Sequence, residues 1–365
     1  MSQVYFFTGF PGFIANQLIH GILTKYDNVE KIYVLVLPTM KHQAKVRINQ
    51  FNEQYSLPDG KISIIEGDIT KVHLGINEKI NRELETSVTH VFHLAAIYDL
   101  AVPRDIAYRV NVDGTRNVNE WVQKLQKLKR YTYFSTAYIA GTRTGILKED
   151  ELIRPPGFKN YYEETKYEAE LLVHALKKQV PVTIIRPGIV KGHSRTGETM
   201  KFDGPYLFLN MIDRLRNARL FPKMGNPEAE INLVPVDFIV EAVLYLSHAD
   251  VGEGKTYHLT DPKPYKVPVL YEMMLIELLG KRPRGKIPLF IPRFLLSFAS
   301  IRKALRIEKE TLDYLIWMGK FDCTNAQRDL REASISCPDL KDQMPSMIRF
   351  YLENKDNDQY HIVIR

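Results

Sequence analysis

The first fifteen residues constrain this chain more than any other stretch. Gln3-Val4-Tyr5-Phe6-Phe7 is a short apolar run of β-branched and aromatic residues, the composition of a buried strand. Thr8-Gly9-Phe10-Pro11-Gly12-Phe13-Ile14-Ala15 follows at once, and Ile14, Leu18, Ile22 and Leu23 then recur at helical spacing. Strand, glycine turn and helix in immediate succession form a cradle for phosphates. Gly9 permits the tight turn, Gly12 lets a pyrophosphate approach the backbone, and Ala15 lets helix and strand pack closely. The helix N-terminus adds N–H donors and partial positive charge. The spacing is G-x-x-G-x-x-A rather than G-x-G-x-x-G, so these residues alone also fit a plain turn. The rest of the chain decides between the two.

That remainder alternates strands and helices. Lys31–Leu37 reads as a second strand, Lys61–Ile69 as a third with Asp68 at its end, and Val88–Ala96 as a fourth closing on Ala95-Ala96. A helical stretch around Asn111-Val112-Asp113-Gly114-Thr115 precedes a fifth strand, Tyr131–Thr136, which ends in the hydroxyls of Ser135 and Thr136. A sixth strand reaches Arg186-Pro187-Gly188. Such alternation predicts an α/β fold, a doubly wound parallel sheet covered on both faces, with ligands beyond the carboxyl ends of its strands. His93 lies inside a strand and reads as a core histidine. Residues 191–232 break the pattern and read as a substrate-facing insertion. Ile231–Asp237 returns to a strand, with Asp237 capping the next helix.

In the helical run Tyr161–Leu172, Tyr162 and Lys166 are four residues apart and share a face. An ammonium beside a phenol lowers its pKa and prepares it to exchange a proton with a carbonyl oxygen. The pattern is common by chance. Tyr351…Lys355 is a second match, read as a surface pair. Tyr162 is singled out because a dinucleotide-type turn and a hydroxyl-bearing strand end precede it in order.

The second strand ends in Leu37-Pro38-Thr39, neither the acid that favours NAD nor the base that favours NADP. Lys31–Asn52 contains no acid but holds Lys41, His42, Lys45 and Arg47, which tilts the reading toward NADP. A solvated cationic helix face explains the same residues equally well.

Hydrophobic residues make up 45% of the 365 and charged residues 25%, ordinary for a globular protein. No apolar run is long enough to span a bilayer, and the first strand leaves no room for a leader. Cys323 and Cys337 form neither a disulfide framework nor a metal-site pattern, and with no leader a cytoplasmic location is expected. The net charge is +7, yet residues 281–309 carry nine cations against Glu308 alone. So local a patch points to an anionic partner rather than to nucleic acid. Leu289–Phe298, the most apolar stretch of the second half, lies within it.

The ordered set Thr-Gly-x-x-Gly-Phe-x-Ala, Gly-Asp-Ile, His-Leu-Ala-Ala, Asn-Val-x-Gly-Thr, Ser-Thr-Ala-Tyr, Tyr-x-x-x-Lys and Arg-Pro-Gly resembles an extended short-chain dehydrogenase/reductase. Phe134–Gly141, Ile189–Gly197 and Val234–Asp237 are most similar to the thioester-reductase and fatty acyl-CoA reductase branch. The resemblance covers about residues 1–260. It implies a Rossmann-type NAD(P)-binding core over 1–260 and a smaller, mostly helical substrate lobe over 261–365, interleaved with the core. It also implies roles. Thr136 would hydrogen-bond the carbonyl, Tyr162 would be the general acid/base, and Lys166 would hold the nicotinamide ribose and depress the Tyr162 pKa. Asn111 would support a water relay to Lys166. Thr8, Gly9, Gly12, Phe13, Ile14 and Ala15 would line the pyrophosphate, Asp68 and Ile69 the adenine, and Ala95, Ala96 and Pro187 the inner ribose and nicotinamide. Relatives often carry Arg where this chain has Leu37.

The implied activity is hydride transfer from NADP or NAD to an acyl thioester or long-chain aldehyde, free or bound to CoA or a carrier protein. On this reading Phe290–Phe298 would meet the acyl chain. An amphipathic helical lobe over 281–309 whose apolar side is simply core fits the segment as well. Two other functions stay open: a nucleotide-sugar epimerase or dehydratase, against which Ala137 stands where a dehydratase needs an acid, and a non-catalytic cofactor-binding protein. So do a homodimer and peripheral membrane contact through 281–309.

Overall fold

The computed structural model describes residues 2–98 and 102–364. In chain order the strands are β1 Gln3–Thr8, β2 Val29–Val36, β3 Ile62–Glu66, β4 His90–His93, β5 Arg130–Phe134, β6 Gly145–Leu147, β7 Val182–Pro187, β8 Ile189–Lys191, β9 Leu233–Pro235, β10 Thr256–Leu259 and β11 Gly319–Phe321. Seven of them form one sheet in the order β10-β7-β5-β4-β1-β2-β3, every neighbouring pair parallel. The order reverses direction between β1 and β4, where a doubly wound sheet opens a crevice for a ligand. The pairs β6–β11 and β8–β9 stand apart.

The strands are apolar on both faces because both are covered. Tyr5, Phe7, Val34 and Phe92 point into one core, against the helices Phe13–Lys25, Lys41–Tyr55 and Val236–His248. Phe6, Tyr33, Val91 and Tyr131 point into the opposite core, against Glu78–Ser87, Gly114–Val122 and Tyr161–Leu176. A third core joins Pro205–Arg214, Val267–Leu279 and Leu340–Asn354 beside the sheet. The chain beyond 260 serves both regions. Leu270 and Met347 fill the third core, whereas Cys323, Ala326 and Leu330 join the first.

The buried Arg186–Glu170 pair anchors β7 to the helix that carries Tyr162 and Lys166, with Nη2 2.6 Å from Oε1. Arg186 also donates to the carbonyls of Glu149 and Glu151. Asn160 caps the same helix by accepting from the Glu163 N–H, which fixes Tyr162 in its first turn.

Candidate active site

The glycine turn has the shape its spacing predicts. Gly9 sits at φ +88°, and a Cβ there would lie 2.8 Å from the Ala95 nitrogen. A Cβ on Gly12 would lie 2.6 Å from the Gly9 carbonyl. Any larger residue at either position would therefore clash with the protein's own backbone and force the turn open. The helix Phe13–Lys25 begins directly afterwards with no side-chain cap, leaving its N-terminus available to an anion. This cradle fits a dinucleotide.

The cradle opens into a cavity of about 2150 Å³ across the carboxyl ends of β1, β4, β5 and β7. Thr8, Gly9, Gly12, Phe13, Ile14 and Ala15 line one end, with Asp68, Ile69, Ala95 and Ala96 beside them. Thr136, Tyr162, Lys166 and Pro187 line the same cavity further along. Of the residues given a catalytic or cofactor-binding role from the sequence, only Asn111 does not line it. Its carboxamide accepts from the Ile97 N–H at 2.8 Å and donates to Thr165 at 2.9 Å. The water-relay role thus gains no geometric support. Asn111 acts as a tie from a π-helical stretch, Tyr108–Asp113, to the residue before Lys166.

A hydrogen-bond chain supports the cradle from beneath. Thr8 Oγ1 accepts from the Ala95 N–H at 3.1 Å and lies 2.7 Å from His93 Nδ1. Thr115 gives its proton to the Asn111 carbonyl at 2.6 Å, so at 3.1 Å from His93 Nε2 it must accept. His93 therefore carries its proton on Nε2 and receives one from Thr8. Burial first, and the Lys166 charge second, push it down to about 3, so it stays neutral. It is the core histidine the strand pattern implied.

At the catalytic wall the groups differ in how burial shifts them. Lys166 Nζ donates to the Tyr133 hydroxyl at 2.9 Å and to the Phe134 carbonyl. Burial pushes its ammonium down to about 7, against the attraction of Glu170. Burial, then the adjacent Glu163 carboxylate, holds the Tyr162 phenol above its ordinary range, and a hydrogen bond with Thr136 opposes them. This corrects the expectation of a lowered phenol: burial and Glu163 outweigh any effect of Lys166, and the phenol is held protonated at neutral pH. Glu163 itself is buried, paired with Lys159 at 3.0 Å, and accepts from Tyr314 at 2.8 Å.

The sequence reading missed several wall residues. Tyr98 meets Tyr162 edge-on, ring centroids 5.1 Å apart. It directly follows the His-Leu-Ala-Ala-Ile strand end, which is a usable signal. Tyr314 and Asp203 arrive from distant segments and carry none. Burial pushes the Asp203 carboxyl up to about 6, with Lys201 opposing. At the adenosine end, Leu37, His42 and Arg47 line the cavity. Lys41 is held by Glu66, whereas Arg47 hydrogen-bonds to Gln50 and the Met200 sulfur and to no acid among the described residues.

Three further expectations fail. No residue of Phe290–Phe298 lines the cavity, so this stretch does not meet a substrate there. The core reading of 281–309 holds in part: Leu296 and Ile307 are buried in the third core with Leu289, Ile301 and Leu305 packed against it, whereas Phe290, Phe294 and Phe298 face out. Asp237 caps no helix. It lies inside Val236–His248 and accepts from the Ser194 N–H at 2.8 Å. Tyr351 and Lys355 are not a surface pair, since Tyr351 is buried against Asn210 and Lys355 is held by Asp213.

The male sterility protein family model matches residues 7–243, well over half the chain. An alcohol-forming fatty acyl-CoA reductase of Simmondsia chinensis is 24% identical over 337 residues, covering 73% of this chain and 68% of that one. A non-canonical nonribosomal peptide synthetase, cpsA of Aspergillus campestris, is 29% identical over 285 residues, 73% of this chain but 26% of its own. The chain thus spans about a quarter of that synthetase. The crystal structure of the terminal R domain from the myxalamid PKS-NRPS biosynthetic pathway superposes with a TM-score of 0.81 at 26% identity, covering 97% of this chain and 91% of that one. With its glycine cradle and parallel sheet, the chain belongs to the male sterility protein family, NAD(P)-dependent reductases of the extended short-chain type.

Proposed function

We propose that this protein reduces the carbonyl carbon of an acyl thioester or a long-chain aldehyde, with NADPH as reductant. The observation that carries this reading is the meeting of Thr136, Tyr162 and Lys166 on one wall of the cavity that begins at the glycine cradle. The names of the relatives support a substrate carried on CoA or on a carrier protein.

Gly9, Gly12 and the following helix N-terminus would hold the dinucleotide's pyrophosphate, and Lys166 its inner ribose. Bound there, reduced nicotinamide supplies a hydride to the carbonyl carbon. Thr136 orients the carbonyl oxygen through its hydroxyl. Tyr162, kept protonated by burial, gives its proton to that oxygen as negative charge develops. Lys166, poised near 7, replaces the proton on Tyr162. A thioester so reduced becomes a hemithioacetal, which expels a thiol and leaves an aldehyde. Arg47, cationic and outside any ion pair among the described residues, supports NADPH over NADH by facing the 2′-phosphate end.

The test is cofactor oxidation by the purified protein with palmitoyl-CoA, an acyl carrier thioester and hexadecanal. Turnover with any of them sustains the reading. Cofactor binding without turnover, together with tight binding of a UDP-sugar, replaces it with a nucleotide-sugar enzyme. Of the finer partner readings, no feature of the fold favours a homodimer. The exposure of Phe290, Phe294 and Phe298 does favour membrane contact.

A further inference from the structure

The helix Phe290–Leu295 and the turn after it are built inside out. Phe290, Phe294 and Phe298 recur every four residues and stand 70, 64 and 48% exposed. Ile287, Ile291 and Leu295 are exposed beside them. The segment is nonetheless held firmly. Leu296 is buried in the third core with Ile307 and Leu312, Arg293 pairs with Asp313 at 2.6 Å, and Arg302 donates to the carbonyls of Leu296 and Ser297. The phenyl row is therefore presented, not frayed.

Its electrostatic surroundings are one-sided. No acid occurs from Lys281 to Ile307. Arg284, Lys286 and Lys303 make no ion pair among the described residues. Backbone hydrogen bonds from Arg284 to Phe221 and from Lys223 to Gly285 stitch a second basic segment to the same surface. That segment adds Arg219, Lys223 and Leu220, the last 65% exposed.

We propose that this face docks on an anionic lipid surface, with Phe290, Phe294 and Phe298 entering the headgroup–acyl boundary and the surrounding lysines and arginines meeting lipid phosphates and carboxylates. Two observations favour lipid over an acidic protein. The exposed side chains are phenyl and alkyl groups without hydrogen-bonding tips, which suit a fluid hydrocarbon boundary that demands no register; the hot spots of protein interfaces are enriched in Trp, Tyr and Arg seated in pockets. Arg282, Arg293, Arg302 and Arg306 are paired with acids, but Arg284, Lys286 and Lys303 make no ion pair among the described residues and leave net positive charge beside the apolar row, which suits an anionic headgroup layer. No helix among the described residues is long and apolar enough to cross a membrane. Glu308 and Thr311, just beyond the patch, line the cavity, so docking would bring its mouth near membrane-borne acyl chains. The inference rests on the exposure and charge of this face and not on the reductase reading.

Vesicle co-sedimentation tests it, with the full chain, vesicles of phosphatidylcholine alone, and vesicles containing about 30% phosphatidylserine. Sedimentation with the anionic vesicles is expected, weakening as salt shortens the screening length. Phe290→Ala/Phe294→Ala/Phe298→Ala should weaken binding by on the order of tenfold or more. Lys286→Glu/Lys303→Glu should weaken it by a similar factor, about fivefold for each cation lost near the surface. Both variants alter exposed side chains outside the cavity, so an unchanged circular dichroism spectrum and unchanged NADPH binding exclude misfolding. No sedimentation with anionic vesicles at low salt overturns the proposal. So does sedimentation that both variants leave intact. Binding of an acidic acyl carrier protein to this face, with vesicles ignored, replaces lipid with a protein partner. Vesicle binding by a protein that turns over no carbonyl substrate would leave this inference standing while the reductase reading falls.

Discussion

Lys166→Met should abolish turnover and yet stabilise the protein without ligand at neutral and acidic pH. Lys166 is 4% exposed and its ammonium is pushed down to about 7 from an ordinary 10.5. The folded state therefore binds fewer protons than the unfolded state between these values, and wild-type stability rises with pH across that window. By linkage the buried ammonium costs on the order of 5 kcal/mol at pH 6, about 4 at pH 7 and about 2 at pH 9. Methionine has similar length and no charge. It forfeits the bonds to Tyr133 and the Phe134 carbonyl, together roughly 2 kcal/mol. The variant should thus be more stable by about 3 kcal/mol at pH 6 and equal to wild type near pH 9. Urea denaturation at pH 6, 7.5 and 9 reads this difference directly. A gap that stays constant with pH, or a variant weaker at pH 6, would refute the claim that a strained buried charge is kept for chemistry. Loss of at least about a hundredfold in kcat completes the trade of stability for function.

Tyr162→Phe should lower kcat by about 10²–10⁴ while NADPH fluorescence titration stays unchanged, because the phenol supplies a proton and not a binding contact. Gly12→Ala should weaken NADPH binding by roughly tenfold or more, since its Cβ would sit 2.6 Å from the Gly9 carbonyl; unchanged affinity would mean that the turn holds no phosphate. Arg47→Ala should raise the KM for NADPH by about tenfold and leave NADH alone, and equal losses for both cofactors would remove Arg47 as the reader of the 2′-phosphate. Arg186→Met should cost about 3–5 kcal/mol in denaturant titration by leaving Glu170 buried and uncompensated, and adding Glu170→Met should restore much of it.

What was legible in the sequence follows from how far each signal travels along the chain. The cradle, the hydroxyls after β5 and the Tyr162–Lys166 pair are each written within eight residues, because backbone geometry dictates local spacing. The parallel sheet then brings those strand ends to one edge, and the cavity follows from topology. Tyr314 and Asp203 reach that cavity from separate segments and no local pattern announces them, whereas Arg47 is visible only as one of four basic residues after the second strand. Period is also silent about direction. Phe290, Phe294 and Phe298 have the spacing of a core stripe, and only the burial of Leu296 on the other side shows that the stripe faces out. The phenol of Tyr162 makes the same point in electrostatics. Read from the sequence, the pair with the lysine four residues on argues for a lowered pKa. In the fold, burial and Glu163 dominate and raise it. For a reductase that outcome is the useful one, since the group that must deliver a proton arrives at the substrate already holding it, and the depressed ammonium of Lys166 can resupply it at neutral pH. The burial that shifts both groups is thus part of the chemistry and not only of the packing.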